Sequence, residues 1–209
     1  NLGFAKGINF LTKKVKTKYF LCTQPDVIVS EKDILNLKKS FLLKKDCVVS
    51  IPSFQKKNKK KKTISRVKHF IGAIFLSNTR RFNELNGFDK NFFFYWEDID
   101  LSHRINLSKY SIYLNSFSFA NHLFGKSTLP NFNIFFLRNS NFKFGEYLFQ
   151  FKYKKLRKIK IIREPVLIIL KCLFYLITFN KIQLYKNISY FYGILMFYFY
   201  RLKTNLFIF

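Results

Sequence analysis

Acidic side chains are scarce in this sequence, because its 209 residues include 11 aspartates and glutamates against 38 lysines and arginines. The formal net charge of +27 admits a nucleic-acid-binding protein, since clustered cations release counterions from phosphates. The same charge would attract an anionic membrane surface or a diphosphate substrate. Lys, Asn, Phe and Ile are all heavily used and all have A/T-rich codons, so codon bias is a rival explanation for part of the basicity. Charge alone therefore does not identify the partner.

Cysteine is also rare, and the three present, Cys22, Cys47 and Cys172, are widely spaced and odd in number. Without a CxxC pair they favour neither a disulfide framework nor a zinc knuckle. A reducing, cytosolic setting fits this usage best.

Long uninterrupted apolar runs are absent as well. Residues 165–179 are apolar but contain Lys171, and the apolar and aromatic residues 188–200 are followed directly by Arg201. Both are shorter than the about 20 residues that a helix needs to span a bilayer. They predict amphipathic helices lying on a membrane surface, with spanning helices of a small structural membrane protein as the alternative. We expect residues 1–130 to form one domain and residues 131–209 to form a basic, aromatic, membrane-associating helical region.

Residues 1–130 alternate between short apolar runs and amphipathic segments, which predicts a mixed α/β class. Pro25 ends the first strand and leaves Asp26 at its carboxyl edge, where α/β sheets bind ligands. The run of lysines at 56–62 predicts a solvated loop. The predicted strands are 18–22, 47–51, 69–77 and 111–119, and the predicted helices are 31–45 and a shorter one capped by Asn78 and ended by Gly87.

Three of the few acids fall within four positions, at Glu97, Asp98 and Asp100. In a helix beginning at Glu97, Asp98 shares one face with Leu101 and Ile105, which places its carboxylate where an apolar face meets a cleft. Partial desolvation there raises a carboxyl pKa toward the range useful for a general base. The structural alternative is that acids favour the first helical turn and that Asp100 pairs with Arg104 at i, i+4.

Asp26 and His122 are candidate ligands of one hard divalent cation. Mg²⁺ accepts few protein carboxylates together with substrate phosphate oxygens, and Mn²⁺ also accepts an imidazole. Taken singly, Asp26 is compatible with a turn residue and His122 with a core histidine. We interpret His69 and His103 as structural.

The ordered combination of these segments resembles the family-two glycosyltransferases, in particular their rhamnosyltransferase-like branch. The resemblance covers roughly residues 1–128. Its blocks are Asn1-Leu2-Gly3-Phe4-Ala5-Lys6-Gly7-Ile8-Asn9, Gln24-Pro25-Asp26, Gly72-Ala73, Asn86-Gly87-Phe88-Asp89 with 92–95, Glu97-Asp98-Ile99-Asp100-Leu101 with Arg104, and His122 with Gly125 and Ser127.

The resemblance implies a GT-A-like nucleotide-sugar-binding mixed sheet flanked by helices, followed by the amphipathic helical tail. It implies inverting transfer of a sugar from a nucleotide-diphosphate sugar to a hydroxyl of a glycan or lipid-linked acceptor. Nucleic acid is not an expected partner. The enzyme would work in cell-surface polysaccharide synthesis, peripherally on the inner, cytoplasmic face of the cell membrane.

The resemblance also implies a role for each matched residue. Asp26 and His122 would hold Mg²⁺ or Mn²⁺ on the diphosphate, and Asp98 would deprotonate the acceptor, with Glu97 orienting the site. The remaining residues would bind substrates: the donor nucleotide at Gly3, Gly7, Asn9 and Asp26, and the acceptor at Trp96, Gly72 and Ala73.

The sequence departs from this family at Gln24, where Asn is usual, and at Asn86, where Gly is usual. The first β-α-β elements that hold the base are absent before Asn1, so we expect an N-terminally incomplete domain that lacks part of its donor pocket. A nucleic-acid-binding protein and an inactive membrane-associated remnant remain the alternatives.

Overall fold

The computed structural model describes residues 1–54, 62–123 and 131–204. The described residues form two compact units. The first consists of Asn1–Phe93 and 97–123, and the second of Phe94–Trp96 and 131–204. Most of the lysine run, as well as Gly125 and Ser127, lies outside the described residues.

The first unit is mixed α/β, as predicted, and its sheet is mixed. Its helices are α1 (Gly3–Thr12), α2 (Glu31–Leu43), α3 (Thr79–Glu84) and α4 (Glu97–Asn106). Its strands are β1 (Tyr19–Thr23), β2 (Val27–Val29), β3 (Cys47–Ser53), β4 (Ile64–Val67), β5 (Ile74–Asn78) and β6 (Ser111–His122).

The strands are ordered β1-β5-β3-β6-β2, and β4 also pairs with β6. Only β3 and β6 are parallel among the described pairs, and the other pairs are antiparallel. Both β3 and β5 are almost wholly buried, which explains their continuous apolar sequences. The central strands therefore form a rigid frame for the residues at their ends.

The core of the first unit is rich in phenylalanine. Phe75 is fully buried and lies edge-on to Phe20, Phe70 and Phe88. Such edge-to-face pairs stabilise by about 0.5–1.5 kcal/mol beyond the area that they bury. This packing holds β1, β5 and the turn at Phe88 together.

Several element boundaries differ from the sequence-based prediction. The strand predicted at 69–77 begins only at Ile74, and β6 continues past Phe119 to His122. Asn78 caps α3 as predicted, through a 3.0 Å hydrogen bond from the Arg81 amide, but α3 ends at Glu84. Gly87 lies beyond it with a φ of +59°, a conformation that favours glycine.

The second unit consists of Phe94–Trp96 and three helices. These helices are α5 (Phe132–Lys152), α6 (Lys158–Ile177) and α7 (Lys181–Lys203). Asn131 and Asn180 cap α5 and α7 with their side chains. Both α6 and α7 are longer than the apolar runs that predicted them, because charged turns extend them. Within the described residues, no helix is long and apolar enough to cross a membrane.

Candidate active site

Backbone contacts bring three of the matched sequence blocks to one edge of the sheet. The Gln24 amide donates to the Ala73 carbonyl at 2.9 Å, immediately after β1 ends at Thr23. The neighbouring Gly72 amide donates to the Asp98 carboxylate at 2.8 Å. This short chain of hydrogen bonds joins the Gln24-Pro25-Asp26 block, the Gly72-Ala73 block and the first turn of α4.

Asp98 lies in the first turn of α4 and is only partly exposed. Leu101 and Ile105, predicted to share its helix face, are fully buried. One carboxylate oxygen accepts from Gly72, and the other accepts from the Ile99 amide at 2.8 Å. Burial raises the pKa of Asp98, while these backbone hydrogen bonds oppose that rise by stabilising the carboxylate. Asp98 is thus a desolvated, firmly oriented carboxyl.

Glu97 is a second carboxyl in this turn, and its surroundings differ from those of Asp98. Burial, followed by the charge of Asp98, raises the pKa of Glu97 to about 8. Its Oε2 atom has no hydrogen-bond partner among the described residues. Burial and the Glu97 charge also raise the pKa of Cys22 to about 12, so α4 begins close to the end of β1.

Two neighbouring carboxyls with different surroundings can divide acid and base functions between them. Glu97 favours its protonated form, because burial and the charge of Asp98 raise its pKa. Asp98 keeps its negative charge more readily, since two backbone amides donate to it. The arrangement can therefore accept a proton at Asp98 and donate a hydrogen bond from Glu97.

Asp26 and His122 meet where β2 begins and β6 ends. Val27 pairs with His122 in the antiparallel ladder, and the Leu123 amide donates to the Asp26 carbonyl at 2.9 Å. The two side chains are almost completely buried, with His122 Nε2 and Asp26 Oδ2 3.6 Å apart. The ring of Phe54 lies 5.8 Å from the imidazole.

This spacing brings two potential ligand atoms together, as the predicted metal site requires. It is equally compatible with a direct contact between the carboxylate and the imidazole, with no ion between them. Among the described residues no group of three His, Cys, Asp or Glu side chains could hold a metal, so substrate oxygens or water would complete the coordination.

The glycine-containing segment at the start of the chain is helical. Gly3 has a φ of +74°, and a Cβ there would lie 2.5 Å from the Phe93 carbonyl oxygen. Gly7 faces open space within α1. The Asn9 amide group donates to the Phe88 carbonyl at 2.7 Å and accepts from the Phe88 amide at 2.9 Å. Gly3 and Asn9 thus have structural roles, and donor binding by these three residues stays a prediction.

Trp96 belongs to the second unit, where its ring packs against α5. Ring centroids of Phe142 and Phe149 lie 5.8 and 5.4 Å from it. A Cβ on Gly145 would approach the indole to 2.8 Å, so this helix position requires glycine. Acceptor binding by Trp96, like that by Gly72 and Ala73, stays a prediction.

The structural alternative for Asp100 is confirmed. Its carboxylate pairs with Arg104 Nε at 2.8 Å and is fully buried. The Arg104 guanidinium also donates to the carbonyls of Leu85 and Gly87. The sequence did not predict this clamp on the turn after α3 or the electrostatic effect of Glu97 on Cys22, because both join residues that are distant in sequence.

Comparison with known proteins supports one chemical class. A family model described as the N-terminal domain of galactosyltransferase matches residues 52–125. The match supports a glycosyltransferase domain. The matched segment includes Gly72, Glu97, Asp98 and His122 but not Asp26, and it does not support the rhamnosyltransferase-like branch. No curated protein matches the chain.

Proposed function

We propose that this protein transfers a sugar from a nucleotide-diphosphate donor to an acceptor hydroxyl, with inversion and with Asp98 as general base. The observation that carries the proposal is the Asp98 carboxyl, half-buried at the first turn of α4 and oriented by the Gly72 and Ile99 amides. It lies within the segment that matches a glycosyltransferase family model.

Asp98 would take the proton of the acceptor hydroxyl as that oxygen attacks the anomeric carbon. The bond between that carbon and the donor diphosphate breaks as the new glycosidic bond forms, and inversion follows from this single displacement. Burial favours this role because it raises the pKa of Asp98 toward working pH. Protonated Glu97 would donate a hydrogen bond to an acceptor oxygen and so orient it.

Asp26 and His122 would hold a Mg²⁺ or Mn²⁺ ion, which supplies positive charge against the diphosphate of the leaving nucleotide. Their burial and their 3.6 Å spacing support this assignment. Gln24 and Ala73, joined by a backbone hydrogen bond, would fix the distance between this pair and Asp98. We propose that Asp26, His122 and Asp98 face one cleft.

The proposed acceptor is a glycan or a lipid-linked sugar at the cytoplasmic surface of the membrane. The support is α6, on which large apolar side chains such as Ile162, Leu170 and Ile177 are exposed next to cationic ones. An apolar helix surface flanked by lysines suits the membrane interface. Rhamnose and galactose are both donor candidates, and a panel of nucleotide-diphosphate sugars would identify the sugar.

The metal assignment is tested with Asp26→Asn, which keeps the size of the side chain but removes its charge. We expect Mn²⁺ binding, measured by calorimetry, to weaken by about tenfold or more, because a hard cation prefers a carboxylate to an amide. Donor binding should weaken with it and recover partly at high Mn²⁺. The control is Asp46→Asn. Asp46 immediately precedes β3, whereas Phe54, beside His122, immediately follows it, so this variant should bind Mn²⁺ like the unmodified protein. Unchanged Mn²⁺ affinity in Asp26→Asn would remove Asp26 from the metal site.

A further inference from the structure

A cavity of about 570 Å³ lies among the three helices of the second unit. It is lined from α5, from α7, and from the N-cap and the first four turns of α6. Its charged lining residues are five bases and one acid: Lys143, Arg157, Lys160, Arg163, Lys171 and Glu164. None of these residues has a part in the proposed transfer reaction.

Two of the five cations are neutralised by a buried ion-pair network. Lys143 Nζ lies 2.6 Å from Glu146 and 2.7 Å from Glu164. Lys160 Nζ lies 2.5 Å from Glu146 and 3.5 Å from Glu164. Desolvation lowers the pKa of Lys143, but its hydrogen bonds to both glutamates outweigh that effect, so the pKa is raised. This network fixes α5 against α6 and makes one wall of the cavity rigid.

The other three cations have no such partner. Within the described ranges, no carboxylate lies at ion-pair distance from Arg157, Arg163 or Lys171. The first turn of α6 contains no acid, and its N-cap, Arg157, makes no side-chain capping bond. The cavity therefore collects uncompensated positive charge together with the positive end of a 20-residue helix.

Apolar side chains surround this charge on α6. Ile159 and Leu167 line the cavity and are 65% and 44% exposed. Ile162 and Val166, between them in sequence, are 72% and 50% exposed. A soluble anion needs only the cations, whereas an anion attached to acyl chains also covers these apolar surfaces.

We propose that this cavity binds the phosphate group of an anionic membrane lipid. Arg157 and Arg163 donate to the phosphate oxygens in forked geometry, and Lys171 adds a point charge. The exposed apolar residues of α6 contact the acyl region. The site does not depend on sugar transfer, so a protein without transferase activity would still show it.

The test is flotation of the full protein with phosphatidylcholine vesicles that contain or lack phosphatidic acid. The cavity variant is Arg163→Gln with Lys171→Gln, and the matched control is Lys181→Gln with Lys203→Gln, exposed α7 residues that do not line the cavity. Both variants lose two charges, so general attraction to an anionic surface falls equally. We expect the cavity variant to lose about tenfold or more affinity beyond the control, and only with phosphatidic acid present.

Equal losses in the two variants would overturn the proposal in favour of diffuse surface charge. Calorimetry with inorganic phosphate and pyrophosphate distinguishes the source of the anion. If either binds the cavity as tightly as the vesicles do, the ligand is a soluble phosphate and the lipid assignment is wrong. Should circular dichroism show the cavity variant unfolded, Arg157→Gln against Lys158→Gln repeats the comparison at exposed positions, with the same two outcomes.

Discussion

The individual residues Glu97 and Asp98 are adjacent carboxyls in the first turn of α4, and they differ in burial and in hydrogen bonding. Glu97 is 5% exposed, and its Oε2 atom finds no partner in the part of the chain that the structure describes. Asp98 receives two backbone amides. A buried carboxyl with fewer hydrogen-bond donors holds its proton more firmly than one that accepts from two backbone amides. Glu97 therefore makes the stability of the fold depend on pH.

The Glu97→Gln variant tests this dependence. Since the pKa of Glu97 rises from 4.5 to about 8 on folding, the folded state holds a proton that the unfolded state has lost between these values. The free energy of unfolding should therefore fall as pH rises through this window, by up to about 1.4 kcal/mol per pH unit. Glu97→Gln should reduce that slope in urea titrations and leave only the part that the raised pKa of Asp98 contributes, whereas exposed Glu31→Gln should keep the whole slope. An unchanged slope in Glu97→Gln would show that Glu97 is ionised in the fold.

Single residues of the candidate site were predictable where the sequence itself made them unusual. Three acids in four positions stand out in a chain with so few acids, and α4 begins at Glu97 as predicted. The proximity of Cys22 to Glu97 was not predictable, because it joins distant segments through the packing of α4. The roles of the matched residues in binding and catalysis stay predictions.

Among the contacts between elements, Asn9 joins α1 to the turn after α3. Two hydrogen bonds join its amide group to Phe88, a core residue. We expect Asn9→Ala to lower the free energy of unfolding by about 1–3 kcal/mol, since it leaves both partly buried Phe88 groups without a partner. Asn83→Ala, at an exposed site in α3, is the control and should change it by less than about 0.5 kcal/mol. If both variants are equally stable, Asn9 has no structural role.

Arg104 holds the other side of that turn, and its pair with Asp100 has an exposed counterpart at the same spacing. Arg80 and Glu84 are also i, i+4 neighbours, but the Arg80 side chain is 89% exposed. Arg104→Lys should lower the free energy of unfolding by about 1–3 kcal/mol, because lysine cannot reach Asp100 and two carbonyls together. Arg80→Lys should cost less than about 0.5 kcal/mol in the same denaturant titration. Similar losses would contradict the clamp.

Elements with a clear apolar or amphipathic pattern were predictable, including the short strand β1, and elements without such a pattern were not. The predicted strand at 47–51 and the predicted helix at 31–45 correspond closely to β3 and α2. Strand β4 has half-exposed residues without strict alternation, and β2 has three residues, so neither produces a clear periodicity. Helix α1 was not predicted, because its two glycines lower its helix propensity. Its stability comes from contacts with residues 88 and 93.

At the scale of the whole molecule, the aromatic side chains bear on the nucleic-acid alternative. A single-strand binder presents aromatics on an exposed face among its cations. In the first unit, Phe70, Phe75, Phe82, Phe88 and Phe92 are each at most 2% exposed and form the core. Packing thus explains these five phenylalanines, and the family-model match over residues 52–125 favours sugar transfer.

Whether Asp98 is the general base is decided by sugar transfer in Asp98→Asn, followed as nucleotide release with and without acceptor. Asparagine keeps the shape of the side chain but cannot take a proton. Transfer should fall by about 10²- to 10⁴-fold, the usual contribution of a general base, while donor affinity stays within about twofold. Asp46→Asn should transfer like the unmodified protein. Near-normal transfer by Asp98→Asn would show that Asp98 is not the general base.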